Sequence, residues 1–200
     1  LERDERVHLY YTNNVDDITK ADIILLPGSK NTLDDLYELR RNGVAQAILK
    51  ASQEGATVMG ICGGYQMMGL EVRDPEGVEG NVRMLPGLGL LPVITTMQGD
   101  KVTRQVEFTF DGTEALCKGY EIHMGRTVPA EGSPPSPFNQ LADGREDGYQ
   151  DKQKKCLGTY IHGILDNQPF IDFLLAPYIG KLGQQTFDYT AFKEEQYDKL

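Results

Sequence analysis

The chain has 200 residues, 40% hydrophobic and 25% charged, with a formal net charge of −10, which suits a single globular domain of ordinary size. The acidity argues against nucleic acid as a partner, since phosphate binding needs a basic face, and no run of about 18 apolar residues is present to cross a membrane. Three dispersed cysteines, Cys62, Cys117 and Cys156, fit neither a zinc pattern nor a disulfide framework, so no metal site and a reducing, cytoplasmic setting are expected.

In chain order, Val7–Tyr11 reads as a short strand and 13–20 as a polar turn. Ile23–Leu26 is a continuous apolar run, which suits a parallel strand buried on both faces. It stops at Pro27 and Gly28. A helix follows, with Leu33, Leu36 and Leu39 at helical spacing, closed by Asn42 and Gly43. Val44, Ala47, Ile48 and Ala51 mark a second helix. Ala56–Ile61 is the next apolar strand, and residues 65–70 are helix-compatible. Strand, helix, strand, helix is the signature of a parallel sheet with helices on its faces.

Cys62 sits between that strand and helix, with Gly60, Gly63 and Gly64 around it. This is the G-x-nucleophile-x-G arrangement of a nucleophile elbow, with Cys in place of Ser. The glycines answer a physical need, because a turn this sharp leaves no room for neighbouring side chains. The turn aims the Gly63 N–H and a helix N-terminus at the thiol, an arrangement that lowers a thiol pKa and holds an oxyanion. Ligands of such sheets bind beyond the carboxyl ends of the strands. If the two strands are neighbours, the Gly28–Ser29 loop and Cys62 face one cleft, and N–H groups of Gly63 and the Gly28 loop are the oxyanion donors.

After Leu70 the pattern changes. Turns at Asp74–Gly77 and Pro86–Gly89 separate candidate antiparallel strands at 90–95 and 102–110. In 119–125, Tyr120, Ile122 and Met124 share one strand face and Glu121 and His123 the other. Residues 129–139 are an irregular proline-rich loop. The last strand is 156–163, ending at His162. Asn167 is placed to cap a helix with Pro169 in its first turn, and 190–200 is a possible final helix. A cysteine nucleophile needs a base. His162 is favoured by its strand-end position over His123, which could instead bond within the sheet or shape the pocket.

Five segments, Leu26–Thr32, Gly60–Gln66, Gly87–Val93, Gly119–Gly125 and Gly158–Gly163, occur in this order. Together they resemble the class I glutamine amidotransferase domains of the cobyric acid synthase family. The resemblance implies an α/β fold with a mostly parallel, flavodoxin-like central sheet flanked by helices, plus an antiparallel extension. It implies that Cys62 attacks the side-chain amide of glutamine with His162 as acid and base, and it sets Gln66 and Ser29 beside the substrate. Most class I domains carry a Glu two residues after the His. Here that residue is Ile164, so Glu121 or Asp166 is left to orient the imidazole.

The resemblance also implies ammonia transfer to an N-terminal synthetase domain that amidates a corrinoid with ATP and Mg. No phosphate-binding loop of the G-x-x-x-x-G-K-[ST] type occurs here, so no cofactor is expected in this part. Residues 1–200 thus read as a glutaminase domain lacking both ends and the synthetase domain. Alternatives are the glutaminase of a related amide ligase (cobyrinic acid diamide synthase or cell-wall precursor type), a thiol hydrolase on the same scaffold, and a non-catalytic docking domain.

Overall fold

The computed structural model describes residues 1–2 and 4–182. The chain starts irregularly. Val7 and Leu9 are half-buried while His8 and Tyr10 are exposed, an alternation like that of a strand. Val7–Tyr11 nevertheless forms no strand; just before it, Arg6 pairs with the sequence-distant Asp172 at 2.7 Å. The expected turn at 13–20 is a helix, α1 (Val15–Lys20). Asn14 caps it by accepting from the Asp16 and Asp17 N–H groups, and Ile18 is buried beneath it. The cap and one anchoring apolar residue outweigh the polar composition.

The strand β1 (Ile23–Leu26) and helices α2 (Thr32–Arg41) and α3 (Val44–Gln53) follow as the periodicity predicts. Asn31 caps α2 through the Asp34 N–H, and Gly43, at φ 83°, lets the chain turn directly into α3. Then come β2 (Thr57–Ile61) and the short α4 (Gly63–Met68). Three small strands, β3 (Glu71–Arg73), β4 (Met84–Pro86) and β5 (Val93–Thr96), lead to the long β6 (Val102–Phe110) and β7 (Cys117–His123). The rest comprises β8 (Arg126–Pro129), β9 (Asn139–Leu141), β10 (Glu146–Asp147), β11 (Tyr149–Asp151), β12 (Cys156–Thr159), β13 (Ile161–His162), α5 (Gln168–Leu175) and the short α6 (Ile179–Leu182), besides a 3-10 turn at Ile164–Asp166.

The central sheet runs β1-β2-β12-β11, with only β11 antiparallel. β2 is interior, so Cys62 sits at the carboxyl end of a central strand, as expected. The antiparallel extension is two further sheets, β10-β9-β6-β7-β13 and β4-β3-β5-β8. β5 is antiparallel to β8 but parallel to β3. Side chains alternate across β2: Val58 joins the core under α2 and α3, while Met59 joins a second core with Phe108, Phe110 and Phe170. Each buried aromatic there stabilises the fold by about 1.5–3 kcal/mol.

Two further expectations change. The single strand foreseen over 156–163 breaks at Tyr160: β12 belongs to the central sheet and β13 to the β6–β7 sheet. Asn167 does occupy the N-cap position of α5, but its side chain bonds Lys118 of β7 on both its oxygen and its nitrogen rather than the helix N–H groups. It ties α5 to the sheet. The candidate helix at 190–200 lies outside the described residues. Among the described residues no helix is long and apolar enough to cross a membrane.

Candidate active site

β1 and β2 pair in parallel with Leu26 opposite Gly60. The two loops that leave them therefore meet. A Cβ on Gly63 would lie 2.7 Å from the Ser29 backbone nitrogen, and one on Gly64 would collide with the Leu26 carbonyl. A Cβ on Gly60 would lie 2.6 Å from the Tyr65 nitrogen. The glycines are there because α4 folds back on β2 while the β1 loop passes over both. Cys62 itself has φ 54° and ψ −113°, a conformation costing an L-residue about 1–3 kcal/mol. Its N–H donates to Thr159 O at 2.8 Å and its carbonyl accepts from Gln66 N at 3.0 Å. The thiol donates to the Ile122 carbonyl at 3.4 Å.

Gly28 marks where the cleft residues converge. A Cβ there would lie 3.4 Å from His162 Cε1 and 3.7 Å from Cys62 Cβ. The thiol-bearing turn, the His162 ring and the β1 loop thus border one small space. His162 Nε2 is buried and has no protein partner. Its ring lies parallel to that of Tyr120, with centroids 5.2 Å apart and planes 9° apart.

His123 keeps other partners. It stacks on Tyr160 at 3.9 Å, and its Nε2 is 4.0 Å from Glu121. Burial pushes its pKa down, against the opposing pull of the Gly125 carbonyl and Glu121. Glu121 is buried and paired with Arg104 at 3.0 Å and Arg145 at 3.1 Å. His123, Glu121 and these arginines border a cavity of about 620 Å³. Tyr120 pairs with His162 and Glu121 with Ile161 across β7 and β13, so Glu121 and His162 project to opposite faces of that sheet. Asp166 is exposed in a 3-10 turn, Ile164–Asp166. Among the described residues no carboxylate hydrogen-bonds the His162 ring.

Gln66 is buried with its amide fully engaged. Thr32 Oγ1 donates to its oxygen at 2.9 Å, and its nitrogen donates to Met124 O at 2.9 Å and Tyr160 Oη at 3.2 Å. The Ser29 hydroxyl is also committed, donating to Asp35 at 2.5 Å and accepting from Asn31 N.

The sequence did not point to Glu79. Buried Asp74 accepts from the Val78 and Glu79 N–H groups at 2.8 Å each, and the loop so formed lays Glu79 on the start of α2. There its carboxylate accepts from Thr32 N at 2.7 Å and Leu33 N at 3.3 Å. Its charge acts on Cys62. The Cys62 thiol pKa is raised, chiefly by burial; the Gly63 N–H opposes the shift and Glu79 adds to it. The expectation of a lowered thiol pKa is therefore corrected, because desolvation outweighs one N–H and a helix of only six residues. Among the described residues no cluster of His, Cys, Asp or Glu is arranged to hold a metal ion.

Residues 1–170 match the model of the CobB/CobQ-like glutamine amidotransferase domain. The chain belongs to that family. It is 71% identical to the cobyric acid synthase of Phocaeicola vulgatus and 55% identical to that of Parabacteroides distasonis, in each case over all of this chain and 40% of the relative. The chain therefore spans about two-fifths of the length of the curated relatives it matches. A solved glutamine amidotransferase superposes with a TM-score of 0.58 at 16% identity, over 82% of this chain and 83% of its own. PurLQS from Thermotoga maritima gives 0.53 at 18% identity, over 74% of this chain and 72% of its own. At such identities the likeness shows the fold, that of the class I amidotransferases. Within this glutamine amidotransferase domain, the family's segments at Gly60–Gln66 and Gly158–Gly163 carry the two side chains that border Gly28.

Proposed function

We propose that this domain hydrolyses glutamine with Cys62 and His162 and supplies ammonia to a synthetase portion of the same protein. His162 takes the Cys62 proton, and the thiolate attacks the amide carbon of glutamine. The Gly63 N–H and an N–H of the Gly28–Ser29 loop hold the oxyanion, each such donor being worth about 10²–10³ in rate. The proton returns from His162 to the leaving nitrogen, ammonia departs, and water cleaves the thioester to release glutamate. With a thiol pKa raised by burial, Cys62 rests protonated and depends on the base. Gln66 braces the elbow from behind rather than gripping the substrate. Because its charge is felt at Cys62, Glu79 is assigned as the carboxylate that attracts the α-ammonium group of glutamine.

The observation that carries this reading is the convergence of Cys62 Cβ and His162 Cε1 on the space beside Gly28. Because the relatives are named cobyric acid synthases, we assign a corrinoid carboxylate as the acceptor, and we assign ATP and Mg²⁺ to the synthetase portion. The three free cysteines suit the cytoplasm. The test is glutamate release by the full-length protein with acceptor present. Cys62→Ala and His162→Asn should abolish it, whereas Cys117→Ala and Cys156→Ala should not. Release that survives Cys62→Ala removes the reading.

A further inference from the structure

A base that works by shuttling one proton must keep its ring plane fixed, and His162 lacks the usual means. The residue two positions on is Ile164, fully buried and apolar. Glu121 projects to the other face of the sheet and is neutralised by Arg104 and Arg145. Asp166 is exposed and does not bond the ring. What does touch the ring is Tyr120, parallel to within 9° at 5.2 Å.

That contact is built into the fold. His162 and Tyr120 are direct cross-strand partners, so their side chains leave the sheet on one face. Gly119 leaves room for this pairing: a Cβ there would lie 2.5 Å from the His162 carbonyl. Gly163, at φ 74°, then turns the chain away at once, leaving the His162 ring lying over Tyr120. The other edge of the ring is closed by Gly28, 3.4 Å from Cε1 as measured to a virtual Cβ. Tyr120 is 39% exposed, so burial alone does not explain an aromatic residue there.

We propose that Tyr120 is a positioning residue for His162, its ring fixing the plane of an imidazole that no carboxylate among the described residues bonds. The proposal rests on the reading of His162 as the base. A flat aromatic face restrains rotation about the ring bond because only the parallel arrangement keeps the overlap, and small misplacements of a reacting group are costly in rate.

The experiment uses the full-length protein and four variants: Tyr120→Phe, which keeps the face, Tyr120→Ile, which keeps a strand-forming apolar residue without it, Cys62→Ala, and His162→Asn for assignment. Tyr120→Ile should lower kcat for glutamate release by about 10–100-fold with KM within about threefold of wild type. Tyr120→Phe should stay within about threefold in both. The His162 Cε1 proton, assigned by its loss in His162→Asn, should move downfield in Tyr120→Ile, out of the ring current, and stay in place in Tyr120→Phe. Tyr120→Thr answers the same question if the Ile variant does not fold. Normal kcat in Tyr120→Ile beside an inactive Cys62→Ala overturns the proposal and leaves the glutaminase reading standing. A raised KM with unchanged kcat also overturns it, making Tyr120 a substrate contact. If glutamate release survives Cys62→Ala, the glutaminase reading fails, and the resonance then judges the stack alone: an unmoved His162 signal in Tyr120→Ile removes it.

Discussion

The turn that carries Cys62 is made by five consecutive residues, Gly60 to Gly64, wedged against the neighbouring β1 loop. The turn that carries His162 is assembled from distant segments. The chain leaves the central sheet at Tyr160, and buried Asp147 of β10 clamps that departure. Its carboxylate accepts from Thr159 Oγ1 at 2.5 Å, Tyr160 N at 3.0 Å and Asn139 Nδ2 at 2.8 Å. β7 then receives β13, and Tyr120 receives the ring. One half of the site is thus held by local backbone strain and the other by a polar and aromatic framework built over long sequence distances. The difference teaches that the two halves should fail in different ways.

The largest effect is expected on the local side. Gly64→Ala drives a Cβ into the Leu26 carbonyl, where only backbone movement relieves it. A stability loss of about 3 kcal/mol or more is expected, read as the urea midpoint, together with loss of glutamate release. A variant of wild-type stability would show that the wedge between β1 and α4 yields freely, and the contrast between the halves would disappear.

On the distributed side, Asp147→Ala leaves the Tyr160 N–H, the Thr159 hydroxyl and the Asn139 amide short of an acceptor. Buried donors stranded in this way cost about 2–3 kcal/mol together. His162 lies two residues beyond the clamp, so kcat for glutamine should fall by about tenfold or more, while alkylation of Cys62 by a small electrophile stays within about twofold of wild type. Equal damage to both readouts would mean that Asp147 supports the elbow as well.

Glu79→Gln probes the point where the halves share a substrate. Gln keeps an acceptor for the Thr32 and Leu33 N–H groups but loses the charge that raises the Cys62 pKa. Alkylation of Cys62 at neutral pH should therefore rise, by about twofold. The KM for glutamine should rise by about tenfold with the loss of a charged partner. Thiol reactivity thus gains while glutamine binding weakens, and an unchanged KM would confine Glu79 to capping α2.

The same contrast governs what the sequence could reveal. The elbow is legible because its constraints fall on adjacent residues, and the glycines at 60, 63 and 64 state them directly. The β1–α2–α3–β2 run is legible for a similar reason, its caps and periodicity being local. The break at Tyr160 is not legible. Residues 156–163 have a uniform strand-like composition, and the agent of the break, Asp147, lies in another strand. Glu79 escaped notice because Asp74–Gly77 looks like an ordinary turn; nothing local says that Asp74 folds the loop onto α2. Glu121 looked available to His162 because alternation gives the two faces of a strand without saying which neighbour each one meets.

The smallest effect expected is a matter of pH. His123 stacks on Tyr160, the residue at which the strand breaks, and burial is the main reason its pKa lies below the ordinary value of 6.5. In the unfolded chain the imidazole takes a proton near pH 6.5; in the folded protein it resists until lower pH. Stability contributed by keeping His123 neutral is therefore fully present above pH 6.5 and is lost as the pH falls through the folded value. His123→Phe retains a ring for Tyr160 and cannot ionise, so its melting temperature should fall less than that of wild type between pH 7 and pH 5. Hydrogen exchange locates the loss. Acid should loosen β7 and β13, which carry Tyr120 and His162, before it loosens β2, where Cys62 is held by its own backbone. If protection of β2 is lost at the same pH as that of β13, the two supports form one cooperative unit, and the separate failure of the two halves is disproved.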